Sequence, residues 1–326
     1  MYFIKSFGSD QKKPHKVWEQ NGKSGLAQGH TSLVVVQLEK GPVLIGYDKV
    51  TQKTDAYRLC TSDPWIQEKS SIELSGGPWD SLDTFVLGNN KYLMAYRRDT
   101  GDFGFYQIRD DLTVSKPFVP ALGPNTLTNG FTAVAPFTSV RQQYFIGYDS
   151  YTGRVASFSL VVKPSSGGDV PPLHAEDIWE HKWSNGWKNF VFFQLGGSNF
   201  FFKINPIEVR VNIDHILDDP SKGTVEIGTY QKKELTDALS VKMAAKVPWI
   251  RDEPYLLTWK EDLGDKAKKG SDKTKKPASG LATLYGINSD CRGWTEVANF
   301  ATPRNISSVV PYSADKAAYA LFYSIG

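Results

Sequence analysis

Apolar runs of strand length recur along the chain about every 50 residues, each closing on a polar turn that leads to a second run. Val43-Leu44-Ile45-Gly46-Tyr47-Asp48 passes through Thr51-Gln52 to Asp55-Ala56-Tyr57-Arg58-Leu59. The second copy is Tyr92-Leu93-Met94-Ala95-Tyr96-Arg97, Thr100-Gly101 and Phe105-Tyr106-Gln107-Ile108. A third runs from Tyr144 to Asp149, turns at Thr152-Gly153 and continues from Ala156 to Leu160. Thr-Gly between two apolar runs is hairpin chemistry, because Gly takes the positive φ of a tight turn without strain. Looser copies run from Asn199 to Ile204 and from Tyr255 to Trp259, and a sixth, Ala318 to Tyr323, reaches Gly326 with no following partner.

The missing partner stands at the other end of the chain. Tyr2 to Phe7 reads as a third strand and Val17-Trp18-Glu19-Gln20 as a fourth, like the Trp-bearing strands at Trp65, Trp179 and Trp294. The pattern predicts an all-β fold, a six-bladed β-propeller of four-stranded antiparallel blades. Its ring is closed by N- and C-terminal strands sharing the last blade, which removes free sheet edges. The whole chain, 1–326, reads as one domain, with blade 6 completed by residues 1–20. A Lys-, Asp-, Gly- and Ser-rich insert at 260–279 has the composition of a flexible surface loop, either a passive insertion or, lying on the face of the pocket mouth, a lid.

Composition narrows the function. An aromatic fraction of 13% favours strands, and a net charge of +3 is too small for a nucleic-acid footprint. No apolar stretch is long enough to span a bilayer, and the start is too short and too soon polar for a signal peptide. The expected location is cytoplasmic, or secreted if a leader has been removed. Cys60 and Cys291 fall in non-adjacent repeats and read as free thiols. The five histidines show no metal-ligand spacing, and no nucleophile elbow, P-loop, dinucleotide fingerprint or calcium loop occurs. No cofactor and no metal are expected.

One position offers a site. The residues entering each inner strand are Gly29-His30-Thr31, Pro78-Trp79-Asp80, Gly130-Phe131-Thr132, Gly186-Trp187-Lys188, Pro248-Trp249-Ile250 and Arg304-Asn305-Ile306. Five of these six carry a ring, His30, Trp79, Phe131, Trp187 or Trp249, and such rings either pack between blades or line one apolar cup on the axis. If they line a cup, Thr31, Asp80, Thr132, Lys188, Arg251, Arg304 and Asn305 stand beside it, with Asp80 and Lys188 as the acid and amine available for proton transfer.

This layout, an outer-strand Trp, a loop into an apolar inner strand and a hairpin, resembles the six-bladed propellers of the fungal fucose-binding lectin family. Those lectins repeat an Arg, a Glu and an aromatic residue to grip sugar between blades; Val43 to Asp48 and Thr54 to Leu59 carry no such Arg and Glu. In length, blade count and loss of that triad the chain is similar to the lectin-like hetero-Diels-Alderases of fungal tropolonic sesquiterpene biosynthesis. That resemblance implies a cofactor-free cyclase acting on an apolar natural-product intermediate, working by orientation and exclusion of water. Lys188 or His30 would polarise a carbonyl and Asp80 would assist loss of water. The alternative is a carbohydrate-binding lectin or lectin-like toxin component, whose partner is a glycan in place of an apolar small molecule.

Overall fold

The computed structural model describes residues 2–5, 15–19, 26–60, 66–115, 121–122, 129–139, 142–162, 173–205, 210–231, 243–250, 253–261, 280–291, 294–302, 305–314 and 317–323. Strands β1 (Tyr2–Lys5) and β2 (His15–Glu19) come first. The first repeat gives β3 (Ser32–Leu38), β4 (Gly41–Tyr47), β5 (Thr54–Leu59) and β6 (Ile66–Ile72), and the second gives β7 (Ser81–Leu87), β8 (Asn90–Tyr96) and β9 (Phe103–Ile108). A short β10 (Ala121–Leu122) precedes β11 (Ala133–Ser139), β12 (Gln142–Tyr148), β13 (Arg154–Val162) and β14 (Leu173–Lys182). The fourth repeat gives β15 (Lys188–Leu195), β16 (Ser198–Asn205), β17 (Arg210–Ile216) and β18 (Thr224–Gln231). The fifth gives β19 (Met243–Ile250), β20 (Glu253–Glu261), β21 (Gly280–Ile287) and β22 (Trp294–Thr302), and β23 (Ser308–Ala314) and β24 (Ala317–Tyr323) end the series.

Among the described residues these strands form six sheets. The last has the order β2-β1-β24-β23, with Phe3 opposite Leu321 and Ile4 opposite Ala320 in an antiparallel ladder, so strands from the two ends of the chain share it. The first strands of successive sheets touch in a closed series, β3, β7, β11, β15, β19, β23 and back to β3. Middle strands are buried along almost their whole length, as in β4 and β8, whereas β6 is largely exposed. The continuous apolar runs of the sequence are therefore strands covered on both faces by neighbouring sheets.

The core is divided accordingly. Separate clusters join the first sheet to the second (Tyr47, Trp79, Tyr106), the second to the third (Phe103, Phe131, Phe158) and the third to the fourth (Tyr148, Trp187, Phe201). Others join the fourth to the fifth, the fifth to the sixth, and the sixth back to the first.

The expectation of six four-stranded blades needs correction. Among the described residues five sheets have four strands or more and the second has three, β7-β8-β9. Val114 makes only an isolated bridge to Ile108 there, and β10 pairs in parallel with β14 of the following sheet. The segment between Ser115 and β10, which includes Pro117 and Pro120, lies outside the described residues.

Candidate functional site

The entry rings belong to the packing between sheets. His30, Trp79, Phe131 and Trp187 are 4, 3, 1 and 3% exposed. A shared device holds each: a tyrosine ending the second strand of one sheet accepts the backbone N–H of the ring residue that enters the next. Trp79 donates to Tyr47 at 2.9 Å, Phe131 to Tyr96 at 3.0 Å, Trp187 to Tyr148 at 3.2 Å and His30 to Tyr323 at 3.2 Å. The sequence allowed these rings to line an axial cup; the structure turns them onto their sheets instead. A Cβ on Gly46 would lie 2.6 Å from His30 Cδ2, and one on Gly147 2.4 Å from Phe131 Cδ2, so glycine at these two places makes room for the ring. Where β8 has Ala95 in place of that glycine, the Trp79 indole lies against Gly104 of β9.

His30 also ends a buried chain of polar groups. Its Nε2 meets the Tyr57 hydroxyl at 3.2 Å, and that hydroxyl donates to Asp55 Oδ2 at 3.0 Å. Nε2 must then carry the ring proton, leaving Nδ1 buried without a hydrogen-bond partner. Burial lowers the His30 pKa below the usual histidine value, with Asp55 and Asp48 opposing and Lys69 reinforcing the shift.

The polar residues after the rings are split between duties. Thr31 Oγ1 donates to the Tyr47 carbonyl and accepts the Lys49 N–H, and Thr132 does the same with Tyr148 and Ser150. Asp80 stands in the same place and accepts the Arg98 N–H at 2.8 Å, but its second oxygen is free to take the Lys49 ammonium. Lys188 is exposed at the start of β15 and is not among the residues that line a groove with Asp80. Asn305 is exposed, with a φ of 58°. Arg251 and Arg304 lie outside the described residues, as do Trp65 and positions 262–279 of the insert; of Trp249 only the backbone, in β19, is described.

What these loops do form is a polar groove of about 460 Å³. It runs between the β4–β5 turn (Lys49), the β8–β9 turn (Arg98, Asp99) and the entries to β7 (Pro78, Asp80) and β11 (Asn129, Gly130), with Arg97 in its wall. Backbone bonds fix it, Gly130 N–H donating to the Arg98 carbonyl at 2.8 Å and Asp80 N–H to that of Tyr96 at 2.8 Å. Partial burial works to raise the Asp80 carboxyl, but the Lys49 ammonium and the Arg98 N–H outweigh it and hold the group below the usual carboxylate range. At the rim, the Arg98 guanidinium lies 4.9 Å over the ring of Tyr151, which is 69% exposed at the tip of the β12–β13 turn. A second groove of about 440 Å³ lies between the β3–β4 and β7–β8 turns, where Gln107 donates to Asn90 at 3.0 Å.

Lys49, Arg98 and Tyr151 were not singled out in the sequence, although all three sit at the tips of the hairpin turns that it predicts. Asp83 was also missed. It lies on β7, the first strand of its sheet, keeps part of its surface accessible, and among the described residues accepts only the N–H of Thr84. Burial pushes its carboxyl up to about 7 against that hydrogen bond. Its signal is an acid within the otherwise apolar and hydroxylic run Leu82 to Leu87.

Among the described residues Cys60 and Cys291 form no disulfide. Among the described residues no three His, Cys, Asp or Glu side chains group as a metal site, and no helix is long and apolar enough to cross a membrane.

No family model matches the chain, and no curated protein does. Solved structures match along its length. A Bacteroides fragilis protein named as a candidate 6-phosphogluconolactonase aligns over 99% of this chain and 87% of its own, at TM-score 0.53 and 14% identity. A Bacteroides uniformis protein of the same name aligns over 99% and 88%, at TM-score 0.50 and 12% identity. A candidate exo-β-1,3-galactanase of Bifidobacterium bifidum aligns over 83% and 91%, at TM-score 0.50 and 11% identity. At such identities the likeness is one of fold, and with the sheet order it makes this chain an all-β propeller.

Proposed function

We propose that this protein is a carbohydrate-binding propeller that takes one saccharide in the groove between Lys49, Asp80, Arg98 and Asn129. The observation that carries the reading is the pairing of a polar groove with an exposed aromatic rim, Tyr151. Sugars are recognised by hydrogen bonds to their hydroxyls and by stacking of their C–H faces on a ring, and this groove offers both kinds of contact. The propeller names of the structural neighbours, lactonase and galactanase, concern sugar chemistry and are compatible with it. The cyclase reading asked for an apolar cup lined by His30, Trp79, Phe131 and Trp187, and their burial between sheets removes its main support.

The test is a glycan array probed with the full chain and with Tyr151→Ala, followed by calorimetry on the hits. One site per chain, weakened by about 1 kcal/mol or more in the variant, supports the proposal. No binding to any glycan at millimolar concentration would overturn it.

A further inference from the structure

We infer that the saccharide is acidic, and that Arg98 is the residue that pairs with its oxyanion. This rests on the carbohydrate reading and deepens it. Three cationic side chains, Lys49, Arg97 and Arg98, line the groove with Asp80 and Asp99. The cations are not equivalent. Lys49 is paired with Asp80. Arg97 is consumed by the wall itself: its guanidinium donates to the Pro78 and Gly76 carbonyls, meets Asp102 at 3.5 Å and covers the Trp79 ring.

Arg98 is different. Its backbone N–H goes to Asp80, but among the described residues only Nε of its five guanidinium donors is engaged, in a long 3.4 Å contact to the Gly130 carbonyl, and no described carboxylate lies within ion-pair distance. The Tyr151 ring, 4.9 Å from the guanidinium carbon, contacts the group without using its N–H donors. A planar guanidinium is suited to two parallel hydrogen bonds to a carboxylate or phosphate. The same ring that contacts Arg98 remains exposed for the sugar face, so one short turn-to-turn contact supplies both halves of recognition.

The experiment is calorimetric titration of the full chain at low salt with glucose and galactose, their uronates, their 6-phosphates, and inorganic phosphate alone. The uronate or the 6-phosphate should bind about tenfold or more tightly than the neutral parent. Which of the two is preferred identifies the source of the oxyanion. The advantage should vanish in Arg98→Gln, which keeps the backbone bond to Asp80, fall partly in Arg98→Lys, and shrink in high salt. Neutral and acidic sugars binding equally would overturn the inference and leave the carbohydrate reading standing. Inorganic phosphate binding as well as the sugar phosphates would overturn the carbohydrate reading, and absence of all binding would overturn both.

Discussion

The Tyr323 hydroxyl accepts the backbone N–H of His30 at 3.2 Å across 293 residues of sequence, and donates to the Ala27 carbonyl at 3.1 Å. It is one instance of the contact that Tyr47, Tyr96 and Tyr148 make at other joints. Here the joint is the one between the last sheet and the first. In the fourth repeat Ile204 stands at that register, opposite Lys188, and offers no hydroxyl; the ammonium of its neighbour Lys203 is buried 2.6 Å from Asp214 and 3.7 Å from the centre of the Trp183 ring.

Replacing any of these tyrosines by Phe strips a buried N–H of its acceptor and should cost about 1–3 kcal/mol, read as a lower urea midpoint with unchanged m. Tyr92→Phe is the control, since that buried ring stacks on Phe85 and its hydroxyl makes no hydrogen bond among the described residues. Equal losses in the control and the four variants would remove the hydroxyl contact as an explanation of joint stability.

His30 makes the first joint acid-sensitive. Its folded pKa lies below the unfolded value of 6.5, so the unfolded chain binds the extra proton and stability is lost as pH falls below about 6.5. The groups facing it, Asp48, Asp55, Lys69, Tyr57 and Tyr323, are unaltered in His30→Phe. Phe131 fills the same place in the third repeat. Thermal melts between pH 7 and pH 5 should therefore show a flatter decline in the variant, and an unchanged slope would assign the acid response elsewhere.

Asp83 acts in the opposite sense. Its folded pKa is raised to about 7, so the folded chain holds a proton that the unfolded chain has released, and stability falls as pH rises from about 4 to 7. Asp83→Asn should be the more stable form at pH 8, by roughly 1–2 kcal/mol after allowing for the accessible part of the side chain, and should lose that advantage at pH 4. Parallel denaturation curves at the two pH values would show whether this crossover exists.

The tryptophans and the groove should separate cleanly. Trp79→Ala and Trp187→Ala empty an inter-sheet core and should cost about 3–5 kcal/mol of stability while leaving affinity per folded molecule unchanged. Tyr151→Ala should do the reverse, changing stability by less than about 0.5 kcal/mol and weakening sugar binding. A tryptophan variant that folds yet loses ligand would restore the axial rings as a site.

The strands were legible because their signal is strong: runs such as Val43 to Tyr47 and Tyr144 to Tyr148 are apolar at every position, and only strands covered on both faces need that. The shared last sheet was legible from the unpartnered run ending at Tyr323. The direction of the entry rings was not, because in a stack of sheets both faces of a strand are buried and alternation no longer separates inside from outside. Gly46 and Gly147 held the answer, being the gaps into which His30 and Phe131 fit. The groove was hidden for another reason: Lys49, Arg98 and Tyr151 come from three different turns, and nothing in their spacing announces that the turns meet.

The ladder between β1 and β24 also sets an order of events during synthesis. Among the described residues the hairpin of β1 with β2 pairs with no strand other than β24, which is made long after it. Until then its open edge is available to any passing strand, from this chain or another. Synthesis of β24 is therefore the step that closes this edge, and Tyr323 at its end fastens the closed sheet to the first one.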